Sequence, residues 1–272
     1  MRLLPGRHEP LSDPPVGLAE LRTWYAGEAQ RTVATAAWDM AEDVLSNLFG
    51  YHLLQIGTPF ERERALCELS RISHRVVLET EPALATEGSI VVRPDALPVL
   101  ANSVDVVVLP HTLEFCANPR GILREVERVL VGEGRVLVLG FNPWSLMGLG
   151  HLALAWRGEA PWAGHFLSAG RICDWLSVLG FVVERVSHGA FLPPLRSPRW
   201  RSRLRPVEQL GVHFLPKLGN LYGILACKRV LVARPARLVL KRERSRVPVR
   251  AVETSRRVVR QDIDTLPKGE AP

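Results

Sequence analysis

SVDVVVLPHTLEF at residues 103–115, followed by GILREVERVLVGEGRVLVLG at residues 121–140, decides how this chain folds. Val104 to Leu109 is apolar but for Asp105, a pattern that suits a strand covered on both faces better than one exposed to water on one side. Pro119 to Leu130 changes period. Ile122, Leu123, Val126, Val129 and Leu130 fall on one helical face, with charged residues on the other. Arg135 to Phe141 then returns to a short apolar run. Strand, amphipathic helix and strand in close succession make a parallel unit with a helical crossover.

The same rhythm extends in both directions. Tyr51 to Gly57, His74 to Thr80, Ser89 to Arg93, Phe181 to Ser187 and Tyr222 to Val230 read as further strands, seven in all. Ser168 to Leu179 reads as a helix, with Ser168 as N-cap, Ile172, Trp175, Leu176 and Leu179 on one face, and Gly180 as its stop. Leu18 to Leu48 holds two helical stretches, the second with Val33, Ala37, Met40, Val44 and Leu45 along one stripe. The expected architecture is α/β in three layers, a seven-stranded sheet, mostly parallel with the last strand antiparallel. Residues 1–16, rich in Pro and Gly, read as a flexible arm, 17–233 as the domain, and 234–272 as a basic tail too highly charged to collapse by itself.

Composition narrows the function classes. The chain has 272 residues, 47% hydrophobic, with 35 Lys plus Arg against 28 Asp plus Glu. Four dispersed cysteines without a Cys-x-x-Cys pair indicate neither a disulfide framework nor a metal knuckle, so no metal is expected and a reducing, cytoplasmic setting fits. The N-terminus lacks the apolar stretch of an export signal, and the longest nearly uncharged apolar run, Trp144 to Trp156, is too short to span a bilayer. Charge is uneven: residues 196–260 carry 18 bases against three acids, and the remainder is net acidic. That basic region has three readings: a nucleic-acid groove, a patch for anionic lipid, or a solvated arginine-rich tail. Arg237 to Arg260 contains no aromatic residue for base stacking, which favours the last.

In an open parallel sheet, ligands bind beyond the carboxyl ends of the strands. The first such loop holds Gln55, Gly57, Thr58, Pro59 and Phe60, with one glycine where a close-fitting nucleotide loop uses several. Glu79 ends the second strand at the spacing, about 20 positions after the glycine, where a carboxylate can grip a ribose diol. Asp95, Ala96 and Leu97 follow the third strand, where an acid and small apolar groups suit an adenine. Each has a plain alternative: a strand-ending turn, a solvated glutamate, a turn aspartate. His111 stands beyond the fourth strand as a candidate base, or as a histidine structuring the next turn; His151 and His165 are further candidates.

Asp95-Ala-Leu-Pro, the 103–115 stretch and the 123–140 stretch together resemble the class I S-adenosylmethionine-dependent methyltransferases, type 11 domain group, over about residues 50–187. The resemblance implies a Rossmann-like fold, S-adenosylmethionine as cofactor, ribose on Glu79, adenine beside Asp95 and Ala96, and the methionine moiety near Gln55, Gly57 and Leu109 to His111. The family's first loop reads acid-x-Gly-x-Gly-x-Gly; here Gln55, Pro59 and Glu61 stand at three of those positions. The implied reaction is methyl transfer to a small acceptor, with an apolar or lipid-like one suggested by the 144–156 segment, which reads as a lid or as a core-packed helix. The alternatives are a non-catalytic scaffold whose cofactor pocket has decayed, and an RNA-directed enzyme docking through its basic region. GFNPWS at 140–145 resembles the Asn-Pro-Pro-aromatic motif of amino-methylating enzymes but follows the fifth strand instead of the fourth, so it reads as a turn.

Overall fold

The apolar periods above translate directly into backbone in the computed structural model, which describes residues 17–60, 65–85, 89–154, 159–191 and 218–229. Helices α1 (Leu18–Tyr25) and α2 (Arg31–Leu45) lead into β1 (His52–Ile56), β2 (His74–Glu79), β3 (Ile90–Val91) and β4 (Val104–Pro110). Then come α3 (Pro119–Val129), β5 (Leu130–Phe141), α4 (Leu146–Leu154), α5 (Ala169–Val178), β6 (Phe181–Gly189) and β7 (Leu221–Lys228). The strands form one sheet in the order β3-β2-β1-β4-β5-β7-β6. β1 to β5 are parallel, and β7 runs antiparallel to β5 and β6.

Alternation along the strands builds the two faces. Leu53, Val106, Val108, Leu137 and Leu139 pack with Leu21, Val33, Ala37, Ala41 and Leu45 of α1 and α2. Leu54, Ile56, Val107, Leu109, Val136 and Val138 pack with Ile122, Val126, Ile172 and Leu176 of α3 and α5. A one-residue slip would exchange the two sets, so the register is fixed by both layers at once. The sequence expectation of three layers is met.

Two details differ from the sequence expectation. β3 is two residues long, shorter than Ser89 to Arg93. β5 starts at Leu130, before Arg135, because Val104 pairs with Leu130 across a register shift in β4. After β1, residues 61–64 lie outside the described part and the next element is a 3₁₀ turn, Leu66–Leu69. Helix ends follow their signals: Asn118 and Ser168 accept from the N–H groups of Gly121 and Arg171 at 2.9 and 3.3 Å, and Gly180 adopts φ +86°. In the 144–156 segment, Met147 is buried while Trp144, Leu146 and Leu149 are exposed. The 1–16 arm and the 234–272 tail fall outside the described residues. Of the basic region, 218–229 is described: Lys228 donates to the carbonyls of Glu127 and Leu130, and Arg229 pairs with Glu133.

Candidate functional site

Strand order reverses between β1 and β4: β2 and β3 extend to one side and β5, β7 and β6 to the other. A crevice at such a switch point is where an open α/β sheet binds its ligand. Three sets of side chains meet at this end.

At the end of β1, Gly57 has φ +86°, a conformation side-chain-bearing residues rarely adopt, and its N–H donates to the Leu78 carbonyl at 2.8 Å. Gln55 is fully engaged beneath it: its Nε2 donates to the Gly57 carbonyl at 2.9 Å and its Oε1 accepts from Cys67 N–H at 2.8 Å. This amide builds the turn. Neither Pro59 nor Phe60 comes within 4 Å of the space beside Gly57; the Leu18 side chain does, at 2.6 Å from where a Cβ would lie.

At the end of β2, Glu79 is 3% exposed. Its Oε1 accepts from the Thr58 hydroxyl at 2.7 Å, and Oε2 is buried with no hydrogen-bond partner. Burial raises its pKa, against the lowering effects of Thr58 and Arg22. Two residues on, Glu81 accepts from the N–H groups of Leu18 and Ala19 at the start of α1. At the end of β3, Asp95 forms a bidentate pair with the exposed Arg93 at 3.1 and 3.2 Å, and Ala96 is exposed. Leu109 directs its side chain into the layer of α3 and α5, so only its backbone borders the crevice.

Past β4, His111 takes φ +58°, and its N–H donates to the Leu139 carbonyl at 2.9 Å. A non-glycine residue held there is a conformation worth accounting for. It turns the imidazole toward α1 and β5: Nε2 lies 2.9 Å from the Tyr25 hydroxyl and Nδ1 lies 2.7 Å from Glu114 Oε2. Glu114 Oε1 accepts from Phe141 N–H at 2.6 Å. All three side chains are buried. Burial lowers the His111 pKa to about 3 and raises those of Glu114 and Tyr25. The imidazole is therefore neutral. With Tyr25 keeping its proton and donating to Nε2, Nδ1 carries the ring proton and donates to Glu114, and every polar atom of the chain is satisfied. Phe60, Phe141 and His111 surround the Tyr25 ring at centroid distances of 4.7, 6.2 and 5.7 Å.

Sequence reasoning singled out His111 but missed Tyr25 and Glu114. The sequence signal for Glu114 is an acid three places after a histidine in an otherwise apolar turn. Tyr25, distant in the chain, has none. His165 lies near this group through its N–H, which donates to the Glu114 carbonyl at 2.8 Å; the side chain of His151 is outside the described part. The 140–145 motif is a turn, with Asn142 Oδ1 accepting from Trp144 N–H and the Asn142 carbonyl from Ser145 N–H. Among the described residues no cluster of three or more His, Cys, Asp or Glu is placed to hold a metal, and no helix is long and apolar enough to cross a membrane.

The orphaned Glu79 oxygen is the observation that tests the fit of a nucleoside. A buried carboxylate oxygen at the strand tip beside Gly57 and Thr58 has the chemistry to accept from a ribose hydroxyl. The residues fit that group, with Leu18 of α1 lying over the turn.

A methyltransferase-domain family profile matches residues 70–138. The uncharacterized protein YafS of Escherichia coli K12 is 34% identical over 186 residues, covering 68% of this chain and 72% of YafS. A solved Thermotoga maritima protein, described as a SAM-dependent methyltransferase and possible histamine N-methyltransferase, superposes with TM-score 0.58 at 17% identity, over 77% of this chain and 95% of that one. A complex of the Haloferax volcanii Trm112 methyltransferase activator with a putative methyltransferase gives 0.53 at 16%, over 77% and 98%. The [4+2]-cyclase SpnF gives 0.53 at 13%, over 81% and 97%. By its matched methyltransferase domain and its likeness to YafS, the chain belongs to the class I S-adenosylmethionine-dependent methyltransferases of the type 11 domain group, and its sheet has the fold of the solved structures above.

Proposed function

We propose that the protein transfers a methyl group from S-adenosylmethionine to a small acceptor at the crevice between the tips of β1, β2 and β4. The observation that carries this reading is Glu79, buried, with one oxygen on Thr58 and the other without a partner. In an apo protein an unpartnered buried carboxylate oxygen is a cost, and a ligand with hydroxyl donors removes it.

Glu79 and Thr58 hold the ribose, Gly57 lets the ligand approach the backbone, and Asp95, once released from Arg93, accepts from the adenine amine beside Ala96. The backbone of Leu109 to His111 borders the methionine moiety. Bound S-adenosylmethionine supplies a methyl group already activated on a sulfonium, so the protein's main task is orientation and exclusion of water. His111 Nε2 takes the acceptor's proton, and Glu114 positions the imidazole by accepting from Nδ1. Burial keeps His111 a poor base in this structure, so its service as a base requires the imidazole to be opened to water.

Two observations favour the rival reading of a non-catalytic scaffold: Leu18 covers Gly57, and Gln55 is consumed by the turn in place of the family's acid. Calorimetry with S-adenosylmethionine and S-adenosylhomocysteine separates the two. Saturable binding that is lost in Glu79→Ala supports the enzyme; no heat at millimolar ligand overturns it in favour of the scaffold.

A further inference from the structure

We propose that Tyr25 keeps the seat of the methyl acceptor, and that the acceptor is a one-ring phenol whose hydroxyl replaces the Tyr25 hydroxyl on His111 Nε2 when α1 withdraws. The inference rests on the methyl-transfer reading for its chemistry and on the Tyr25 surroundings for its ligand class.

The first support is the shape of the seat. The Tyr25 ring lies nearly parallel to Phe141, at 15°, and is tilted at 48° to Phe60 with centroids 4.7 Å apart, both walls lying outside α1. Flat aromatic walls select a flat ring. Its hydroxyl meets an imidazole whose other nitrogen is tied to Glu114, so Nε2 accepts from an occupant that carries a hydrogen-bond donor where Tyr25 carries its hydroxyl. A phenol satisfies both demands, as Tyr25 itself does.

The second support is that the occupant is carried on one short helix, whose Leu18, Leu21 and Tyr25 are buried and must leave together. α1 is eight residues long, too short to hold itself helical. At its start it is tied to Glu81 through two backbone N–H groups, and Tyr25, its last residue, closes on His111. Leu18 over Gly57 and Tyr25 on His111 place the two ends of one short helix on the two halves of the crevice. Withdrawing it vacates the cofactor turn and the acceptor seat together.

The third is the way in. A cleft of about 290 Å³ opens beside the Tyr25 ring, lined by Ala26, Arg31, Ala34, Thr35, Trp38 and Phe60. A cavity of about 150 Å³ is enough to hold a benzene ring. The cleft is therefore wide enough for a one-ring ligand on its way to the seat. In the reaction the phenol's proton passes to Nε2 while its oxygen takes the methyl carbon; the carbon–sulfur bond breaks with its electron pair on sulfur, and the imidazolium later releases its proton to water.

The test uses 4-nitrophenol, whose absorbance reports its ionisation, and 4-nitroanisole, the same ring with the hydroxyl methylated. Tyr25→Ala in the full chain vacates the seat, and Leu18→Ala loosens α1 with the seat intact, so a folding failure of the first leaves the second. Both variants are expected to bind 4-nitrophenol at least tenfold more tightly than wild type, with a shift toward the phenolate band, and 4-nitroanisole no more tightly. Adding His111→Asn should remove the gain. Equal gains for both probes, a gain that survives His111→Asn, or no gain in either variant overturns the proposal. S-adenosylhomocysteine binding is measured by calorimetry on the same samples: its loss everywhere defeats the methyl-transfer reading while leaving the phenol result standing by itself.

Discussion

Glu79 and Glu114 are both buried near the carboxyl ends of the sheet, 3% and 1% exposed, and they differ in what their oxygens do. Glu79 spends one on Thr58 and leaves the other without a partner. Glu114 spends both, on Phe141 N–H and on His111 Nδ1. Burial raises both pKa values, that of Glu114 well above the usual carboxylate range. The difference teaches that buried charge serves two ends here: one acid is left incomplete for a ligand, and the other is completed internally to aim a side chain.

The largest expected effect lies on the completed acid. Glu114→Ala leaves the Phe141 N–H and the His111 ring N–H without partners in a dry interior, a loss of about 3–5 kcal/mol. At about 2–4 °C per kcal/mol for a domain of this size, the thermal midpoint should drop by roughly 6–20 °C. A drop no larger than that of an exposed-site variant would show that the network is not holding the fold. Glu114→Gln, which keeps the shape, should leave S-adenosylhomocysteine affinity unchanged while altering the pH profile of methyl transfer.

Glu79→Gln should behave in the opposite manner. Stability should hold or rise, because a charge with an unpartnered oxygen is removed. Cofactor affinity should weaken by roughly 10- to 150-fold, the worth of about 1.5–3 kcal/mol in hydrogen bonds to a charged acceptor. Unchanged affinity by calorimetry would dissolve the contrast between the acids.

A pH series sharpens it. A carboxyl with a raised folded pKa contributes stability that is full below the ordinary carboxylate range and fades as pH rises through the folded value, so Glu79→Gln should gain on wild type toward neutral pH. His111 has the reverse sign. Its folded pKa of about 3 lies below the unfolded value of about 6.5, so acidification through that window costs stability, by up to about 1.4 kcal/mol per pH unit. Tyr25 and Glu114 face it throughout. His111→Asn, which tolerates the same backbone conformation, should flatten that part of a urea-denaturation series; an unchanged slope would mean the histidine already titrates normally.

The smallest effect is expected for Tyr25→Phe. Removing one hydroxyl from Nε2 should cost about 1 kcal/mol while the ring stays among Phe60 and Phe141. A much larger loss would make Tyr25 a structural keystone and not the replaceable occupant of a seat.

Much of this molecule was legible in the chain. The runs at 104–109 and 135–141, with the one-faced helix between them, gave the parallel core, because apolar period reports which faces are covered. Gly57 was legible as the one glycine of the turn after the first strand, and His111 as a residue beyond the fourth strand. Asp95 was legible as a strand-tip acid but not as a partner of Arg93, since a surface ion pair leaves no pattern in the sequence.

Sequence by itself determined the elements, their layering and the family, because these follow from local periodicity and from motifs contiguous in the chain. Tertiary structure alone decided that Leu18 lies over Gly57, that Tyr25 meets His111 across 86 positions, and that Glu79 keeps an oxygen in reserve. Those facts depend on where a short helix from one end of the chain lands on strand tips formed much later, and long-range docking of that kind is set by packing and desolvation at the assembled site.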